Sequence, residues 1–411
     1  MLVLEQFLEE GMPTFFNQVF EDAQPVAPLG LIVLEGSREL GKKIDDYLVR
    51  WYNTDIGKKN SKFHKDTFIL DSECPRFTTG DAKGLISESV RGYDIYVLVD
   101  VGNYSITYDM FGKPNNMSPD DHYADLKRII SAAGGKAARI TVIMPMLYGG
   151  RQHRRNTRES LDCAQMLQEL FNMGVNGVIT FDAHDPRVQN AVPLMGFDNF
   201  FPTYQIMKEL VSAFPEIQLD KDNFMVVSPD EGAMKRNIFY VSVLGVNLGM
   251  FYKRRDYTCV VGGRNPIVAH EYIGTDVKGK NILVADDIIA TGDSVLRLCR
   301  DLKEKGCKDI FLTATYALFT EGIEKFDEAY EQGLFNAVLS TNLTYINQDL
   351  VSRKWFIKAD LSKFIAYIIS SCNQNKSVSP LLNSADRIHE LLGKTDGFCK
   401  EATEAIMKDL D

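Results

Sequence analysis

Short, nearly all-apolar runs punctuate the chain at Ile95–Val99, Ile140–Met144, Val178–Phe181, Phe224–Val227, Ile282–Ala285, Ile310–Ala314 and Ala337–Thr341. Apolar runs of this length without polar alternation are the pattern of strands buried on both faces of a parallel sheet. Between them, apolar positions recur at helical spacing: Leu40, Ile44, Tyr47, Leu48 and Trp51 share one stripe, and Leu161, Ala164, Leu167 and Phe171 another. Strand–helix alternation through both halves predicts an α/β chain with crossover connections and mainly parallel sheets flanked by helices. No internal repeat or low-complexity segment interrupts the pattern. A boundary near Leu170–Asn190 divides the chain into domains of similar size. Asp256–Gly274 contains glycine and is only partly periodic, which predicts a long loop after a strand, of the kind that often forms a lid. Residues 1–30 and 385–411 read as appendages, the second with a helical pattern at Ile388, Leu391 and Leu392.

Composition narrows the class. The 411 residues suit two or three domains, and 45% hydrophobic with 25% charged residues is the balance of a soluble globular protein. No run of about 18 apolar residues predicts a membrane span. The first thirty residues lack a basic segment followed by an apolar one, which argues against a secretory signal. Seven scattered cysteines (74, 163, 259, 299, 307, 372, 399), with no CxxC pair, fit reduced thiols in a cytoplasmic protein. A formal net charge of -10 disfavours nucleic acid as the main partner. Positive charge is nevertheless concentrated in Arg151–Arg158 (RQHRRNTR) and in Lys253–Arg255 (KRR). An isolated basic run is most often a solvated face, but two in an acidic chain fit a small polyanionic substrate.

The strongest local signal is Ile282–Ser294, ILVADDIIATGDS. It reads as a buried strand ending in Asp286 and Asp287, then a turn with Thr291 and Gly292 that opens a helix at Ser294. Paired carboxylates at a strand's end can accept hydrogen bonds from adjacent ribose hydroxyls. A Thr-Gly-Asp-Ser turn at a helix N-terminus offers N–H groups and hydroxyls to a phosphate. Ligands of open parallel sheets bind at that edge. An ordinary helix cap with two solvated acids reads equally well from these residues alone. The nearby Gly274–Asn281 segment approaches a P-loop, but Asn281 stands where Ser or Thr is required and the segment precedes a strand, so it reads as a turn. HExxH, GxSxG and paired CxxC patterns are absent.

The motif resembles the ribose-phosphate site shared by phosphoribosyltransferases and PRPP synthetases, and further matches single out the ribose-phosphate pyrophosphokinase (PRPP synthetase) family. Arg76-Phe77-Thr78-Thr79-Gly80-Asp81 resembles that family's ATP-site turn, with Glu88–Asp94 (ESVRGYD) following, and Arg151-Gln152 begins its basic ATP-binding stretch. Asp182-Ala183-His184 followed by Gln189 is similar to its DLH…Q segment, and Ser228-Pro229-Asp230 with Lys235-Arg236 to its SPD…KR segment. Lys253-Arg254-Arg255 resembles its catalytic flexible loop. The matches run in order from about residue 31 to 384.

The resemblance implies two phosphoribosyltransferase-like domains, at 31–185 and 186–384, between extensions at 1–30 and 385–411, with the chain crossing back between the domains near 345–384. The implied activity is transfer of the diphosphate of ATP to ribose 5-phosphate, giving PRPP and AMP for nucleotide biosynthesis. Such a transfer needs positioning and charge neutralisation more than covalent help. Lys253 and Arg255 are implied as catalytic groups of a closing loop. Asp286, Asp287, Thr291, Gly292, Asp293 and Ser294 are implied to hold ribose 5-phosphate. Phe77, Thr79, Asp81, Arg151 and Gln152 are implied to hold ATP. His184 and Asp230 are implied to help hold Mg²⁺, which is usually bound through few protein groups plus phosphates and water. Taken singly, Phe77 suits core packing, His184 a structural role, and the basic pair a strand end. The family also implies a homo-oligomer built from dimers, often a hexamer, with an effector site, while charge and hydropathy lead to no expected nucleic-acid or membrane partner.

Several positions depart from the family pattern. Ala290 stands where an aspartate usually precedes the threonine, Asp293 and Ser294 replace Gly-Thr, Thr79 replaces an ATP-site acid, and His153 replaces an aspartate. Losing carboxylates around a polyanion is expected to alter affinity or regulation. Retention of Lys253, Arg255, Asp286, Asp287, His184 and Asp230 favours an active, divergent enzyme. The rivals are a non-catalytic regulatory subunit, which binds without turnover, and a phosphoribosyltransferase, which needs a base-binding hood and not the RQ and KRR clusters.

Overall fold

The computed structural model describes residues 25–54, 64–155, 158–255 and 267–393, with backbone alone at 253–255 and 267–270. The chain forms two compact units, one of residues up to Phe200 with Leu361–Leu382, the other of Phe201–Asp360 with the chain from Asn383 onward. The first is built on a five-stranded sheet in the order β1-β4-β7-β8-β9. Its strands are β1 (Leu29–Val33), β4 (Asp94–Leu98), β7 (Arg139–Ile143), β8 (Gly177–Phe181) and β9 (Gly196–Phe200). Every neighbouring pair is parallel. β1 and β4 are buried along their whole length; the apolar run Ile95–Val99 announces β4, whereas β1 begins inside the segment 1–30 that the sequence reads as an appendage. Two small antiparallel pairs flank the sheet: β2 (Ser72–Glu73) with β3 (Leu85–Ile86), and β5 (Thr107–Met110) with β6 (Lys113–Asn116).

Helices α1 (Arg38–Tyr52), α2 (Pro119–Ala133) and α3 (Asp162–Asn172) cover this sheet. α2 starts where the sequence dictates: Ser118 and Asp121 form a reciprocal capping box and Pro119 occupies the first turn. α1 buries Leu40, Ile44 and Leu48 from its expected stripe. The phase expected for α3 is corrected, because the buried residues are Cys163, Met166, Leu167 and Leu170, whereas Leu161 is the N-cap and Phe171 is exposed.

The second unit carries a seven-stranded sheet in the order β12-β11-β10-β13-β14-β15-β16. These are β10 (Phe224–Ser228), β11 (Asn247–Arg255), β12 (Ile267–Gly274), β13 (Asn281–Ile289), β14 (Ile310–Ala317), β15 (Ala337–Thr341) and β16 (Phe356–Ala359). All pairs are parallel except β11–β12 at the edge. The expectation of one long loop over Asp256–Gly274 is corrected here. Ile267–Gly274 is a strand whose ladder with β11 pairs Lys253 with His270 and Gly249 with Gly274. As an edge strand it lacks the apolar run of the central ones, so its pattern does not announce it. Residues 256–266 of that segment lie outside the described residues.

Helices α4 (Thr203–Ala213), α5 (Met234–Leu244), α6 (Asp293–Glu304) and α7 (Glu324–Glu331) flank this sheet. The chain then returns to the first unit as α8 (Ser362–Asn373), where Tyr367 stacks on Trp51 at 4.3 Å between centroids. Arg139 fastens this return, since it holds the fully buried Asp94 through two hydrogen bonds of 2.7 and 2.6 Å and donates to the Cys372 carbonyl at 2.9 Å. α9 (Ala385–Leu391) packs back on the second unit, with Ile388 fully buried and His389 donating to the Val243 carbonyl. Among the described residues no helix is long and apolar enough to cross a membrane, and Cys74, Cys163, Cys299, Cys307 and Cys372 are free thiols.

Candidate functional site

β13 lies in the sheet between β10 and β14 and carries the Asp-Asp motif. The strand does not end at the aspartates: its ladder with β14 continues through Asp286↔Ala314 and Ile288↔Tyr316 to Ile289↔Ala317. Asp287 is buried and Asp286 half-buried within it. Ala290–Gly292 then turns the chain into α6, which starts at Asp293, one residue earlier than its sequence suggests. Gly292, the residue before the helix, has φ of 90°, a conformation that L side chains rarely adopt. A Cβ there would also overlap the ring of Phe326, which α7 wedges against the turn.

A cavity of about 190 Å³ opens at this turn, lined by Asp230, Asp286, Ala290, Thr291, Gly292 and Ser294 among others. It opens at the turn after β13, on the carboxyl side of the sheet where open α/β folds place ligands, and runs inward between the sheet and α6 to Val284, Leu298 and Leu312. Thr291 Oγ1 donates to Asp293 Oδ2 at 3.2 Å, and Asp293 itself is exposed. Asp230, in the turn after β10, accepts the Gly232 and Ala233 N–H groups on Oδ1 at 3.0 and 3.2 Å. The Ser228 hydroxyl donates to the Asp230 carbonyl, and Asn237 Nδ2 donates to the Ala285 carbonyl, so the β10 turn is tied to the strand that bears the motif.

Carboxylates dominate the electrostatics here. Burial first, then the charge of neighbouring Asp287, raises the Asp286 carboxyl well above the usual carboxylate range, against the opposing pull of Arg236. Arg236 Nη1 stands 3.7 Å from Asp286 Oδ1. The residues that gather around this cavity are therefore Asp230, Asp286, Thr291, Gly292 and Ser294, with Asp287 buried behind Asp286 and Asp293 at the rim.

The residues that the resemblance assigns to ATP lie in the first unit. Phe77, Thr79 and Asp81 share one turn between β2 and β3, closed by Phe77 N–H to the Asp81 carbonyl and Gly80 N–H to the Phe77 carbonyl, both 2.8 Å. Thr79 Oγ1 donates to Asp81, and Phe77 is 52% exposed, so it is no core residue. Arg76 anchors the turn through Asp125 of α2 at 2.7 Å. Arg151 and Gln152 follow β7, and His184 follows β8, both at the carboxyl edge of the same sheet. Arg151 is exposed and the Gln152 side chain donates to the Ser160 carbonyl. His184 is exposed, with its ring 5.2 Å from that of His153. His153 Nε2 lies 3.5 Å from Asp185, whose carboxyl the Arg187 guanidinium lowers to about 2. Burial lowers the His153 imidazole, and its Nδ1 has no hydrogen-bond partner. Lys253 and Arg255 lie in the last residues of β11, and their side chains lie outside the described residues.

Residue reading alone does not find Lys325. It reaches the Thr291–Ser294 turn from α7, with Nζ 2.7 Å from Asp293 Oδ1, and no local pattern joins residues 32 apart in the chain.

Comparison with known proteins adds independent weight. The model for the N-terminal domain of ribose phosphate pyrophosphokinase matches residues 29–174, and that for the phosphoribosyl transferase domain matches residues 203–336. The ribose-phosphate pyrophosphokinase of Vibrio parahaemolyticus is 27% identical over 319 residues, covering 76% of this chain and 91% of the relative. That of Chlorobaculum tepidum is 25% identical over 361 residues, covering 87% and 96%. The crystal structure of phosphoribosylpyrophosphate synthetase from Mycobacterium smegmatis shares the fold with a TM-score of 0.67, at 21% identity, over 85% of this chain and 99% of that one. With both domain models matched in order across most of its length, the chain belongs to the ribose-phosphate pyrophosphokinase family.

Proposed function

We propose that the chain is a ribose-phosphate diphosphokinase that transfers the β,γ-diphosphate of ATP to the 1-hydroxyl of ribose 5-phosphate, giving PRPP and AMP. The observation that carries this reading is the cavity at the Asp286–Ser294 turn, which sets the half-buried carboxylates of Asp230 and Asp286 beside a glycine-opened helix start in a chain of this family. Asp286 and Asp287 accept hydrogen bonds from the ribose 2- and 3-hydroxyls. The Thr291–Ser294 N–H groups and hydroxyls take the 5-phosphate at the helix start. Phe77, Thr79, Asp81, Arg151 and Gln152 hold ATP, whose α,β bridge breaks as the sugar oxygen bonds to the β-phosphorus. Lys253 and Arg255 meet the charge that develops on the transferring group.

The donor chemistry fits Mg²⁺. Asp230 and Asp286 line the cavity and offer it a few carboxylates, the hard oxygen donors that Mg²⁺ takes. That suits an ion held largely by nucleotide phosphates and water. Asp230 and His184 are the protein groups assigned to it, and when bound it supplies charge neutralisation for the triphosphate. A homo-oligomer built from dimers is the assembly this reading expects.

One observation favours the rival of a non-catalytic subunit: Asp293 places a carboxylate in the very turn assigned to a phosphate. A single assay separates the two. Purified protein should release AMP from ATP when ribose 5-phosphate and Mg²⁺ are both present, and omission of either should abolish release. Binding of both substrates without AMP sinks the catalytic reading.

A further inference from the structure

A helix N-terminus attracts anions because its N–H groups are unpaired and its dipole is positive there. Asp293, the first residue of α6, sets a full negative charge at that spot. A phosphate ester beside an uncompensated carboxylate is repelled over several ångströms. The turn nevertheless holds its own counter-charge. Lys325 Nζ donates to Asp293 Oδ1 at 2.7 Å and to Glu321 Oε2 at 2.9 Å.

Two carboxylates hold this cation, and packing anchors the helix that carries it. Its neighbour Phe326 is fully buried, and the ring fills the space that a side chain at position 292 would need. The segment leading into α7 is tied to the turn as well, because Leu318 N–H donates to the Ile289 carbonyl at 2.8 Å and Thr320 N–H to the Ala290 carbonyl at 3.0 Å. The packing that shapes the turn therefore also sets the start of α7, and with it Lys325, beside Asp293.

We propose that Lys325 is a positioning residue for the sugar phosphate: shared with Glu321, it offsets the charge of Asp293, so that the Thr291–Ser294 turn accepts a phosphate dianion despite its carboxylate. The role rests on the ribose 5-phosphate reading of the turn, and it makes phosphate affinity depend on a residue from a different helix. The lysine's hydrogen bond lowers the Asp293 carboxyl, so the acid stays ionised and the need for a counter-charge is permanent.

The test is calorimetric titration of ribose 5-phosphate, and of unphosphorylated ribose, into the full chain and four variants: K325M, K325R, D293N and K325M/D293N. Neutralising the lysine should weaken ribose 5-phosphate on the order of ten-fold through exposed like charges. K325R should bind close to wild type, and K325M/D293N should recover most of the loss. Ribose should be indifferent to all four. In steady state the K325M effect should fall on KM for the sugar phosphate more than on kcat. Equal affinity of K325M and wild type overturns the proposal, as does a double variant no better than K325M. Wild-type protein that fails to bind ribose 5-phosphate overturns the reading of the turn itself, a result distinct from either of these.

Discussion

Gly292→Ala is the sharpest structural perturbation of the site, because two separate costs meet at one atom. At φ of 90° an L residue is strained, which costs about 1–2 kcal/mol. The new methyl also overlaps the Phe326 ring, which is fully buried and contacts Phe319, Phe335 and Trp355 at centroid distances of 4.7, 6.0 and 5.7 Å. Overpacking of that kind costs about 1–3 kcal/mol. Together they come to roughly 2–5 kcal/mol, a large part of the ~5–15 kcal/mol that a typical fold possesses. A two-unit chain need not unfold in one step, so amide hydrogen exchange at β13 and β14 is the suitable readout. Phe326→Leu in the G292A background should relieve the overlap while leaving the backbone strain. The double mutant should therefore be less destabilised than the sum of the singles by about 1–3 kcal/mol. Strict additivity, or a G292A cost under about 0.5 kcal/mol, would refute the account of the turn.

Lys253→Ala and Arg255→Ala should lower kcat by about 10²–10³ while ATP binding, read by calorimetry, stays near normal; unchanged kcat with a raised KM for ATP would make them ground-state anchors. Arg139→Ala leaves the fully buried Asp94 without its guanidinium and should cost about 3–5 kcal/mol, seen as faster exchange in β4 and β7; a cost below about 1 kcal/mol would contradict the clamp. His122 is buried, its Nε2–H donates to the Asn103 carbonyl at 2.7 Å, and burial lowers its pKa. The unfolded chain therefore binds the proton more readily, so this stability is present above about pH 6.5 and is lost as pH falls below it. Urea melts of wild type and H122Q between pH 7.5 and 5.5 should diverge accordingly, and parallel curves would count against the assignment.

Much of the fold was legible because central parallel strands are apolar on both faces. Ala337–Thr341 is β15 as read, and Ile95–Val99 misses β4 by one residue. β9, with Asp198 and Asn199 half-buried, and the edge strand β12 lack that run and escaped, while β1 is apolar throughout but begins inside the segment read as an appendage. The helical stripe of α3 was misplaced because its cap, Leu161, is as apolar as its core residues. In the site, the Asp-Asp turn announced itself through contiguous residues. Its outer wall did not, since Phe326 and Lys325 reach it only through tertiary packing. Asp293 looked like a lost glycine in the sequence, and its meaning changes once Lys325 stands 2.7 Å away.

The central claim is transfer of an intact diphosphate, and the most direct measurement follows that group. ATP labelled with ³²P at the β-phosphorus is incubated with the full chain, ribose 5-phosphate and Mg²⁺, and the products are separated. The account predicts that label moves to the sugar phosphate in a one-to-one ratio with AMP formed, and only when all three components are present. Label released as inorganic phosphate or pyrophosphate, or retained in nucleotide while ribose 5-phosphate is bound, would contradict it.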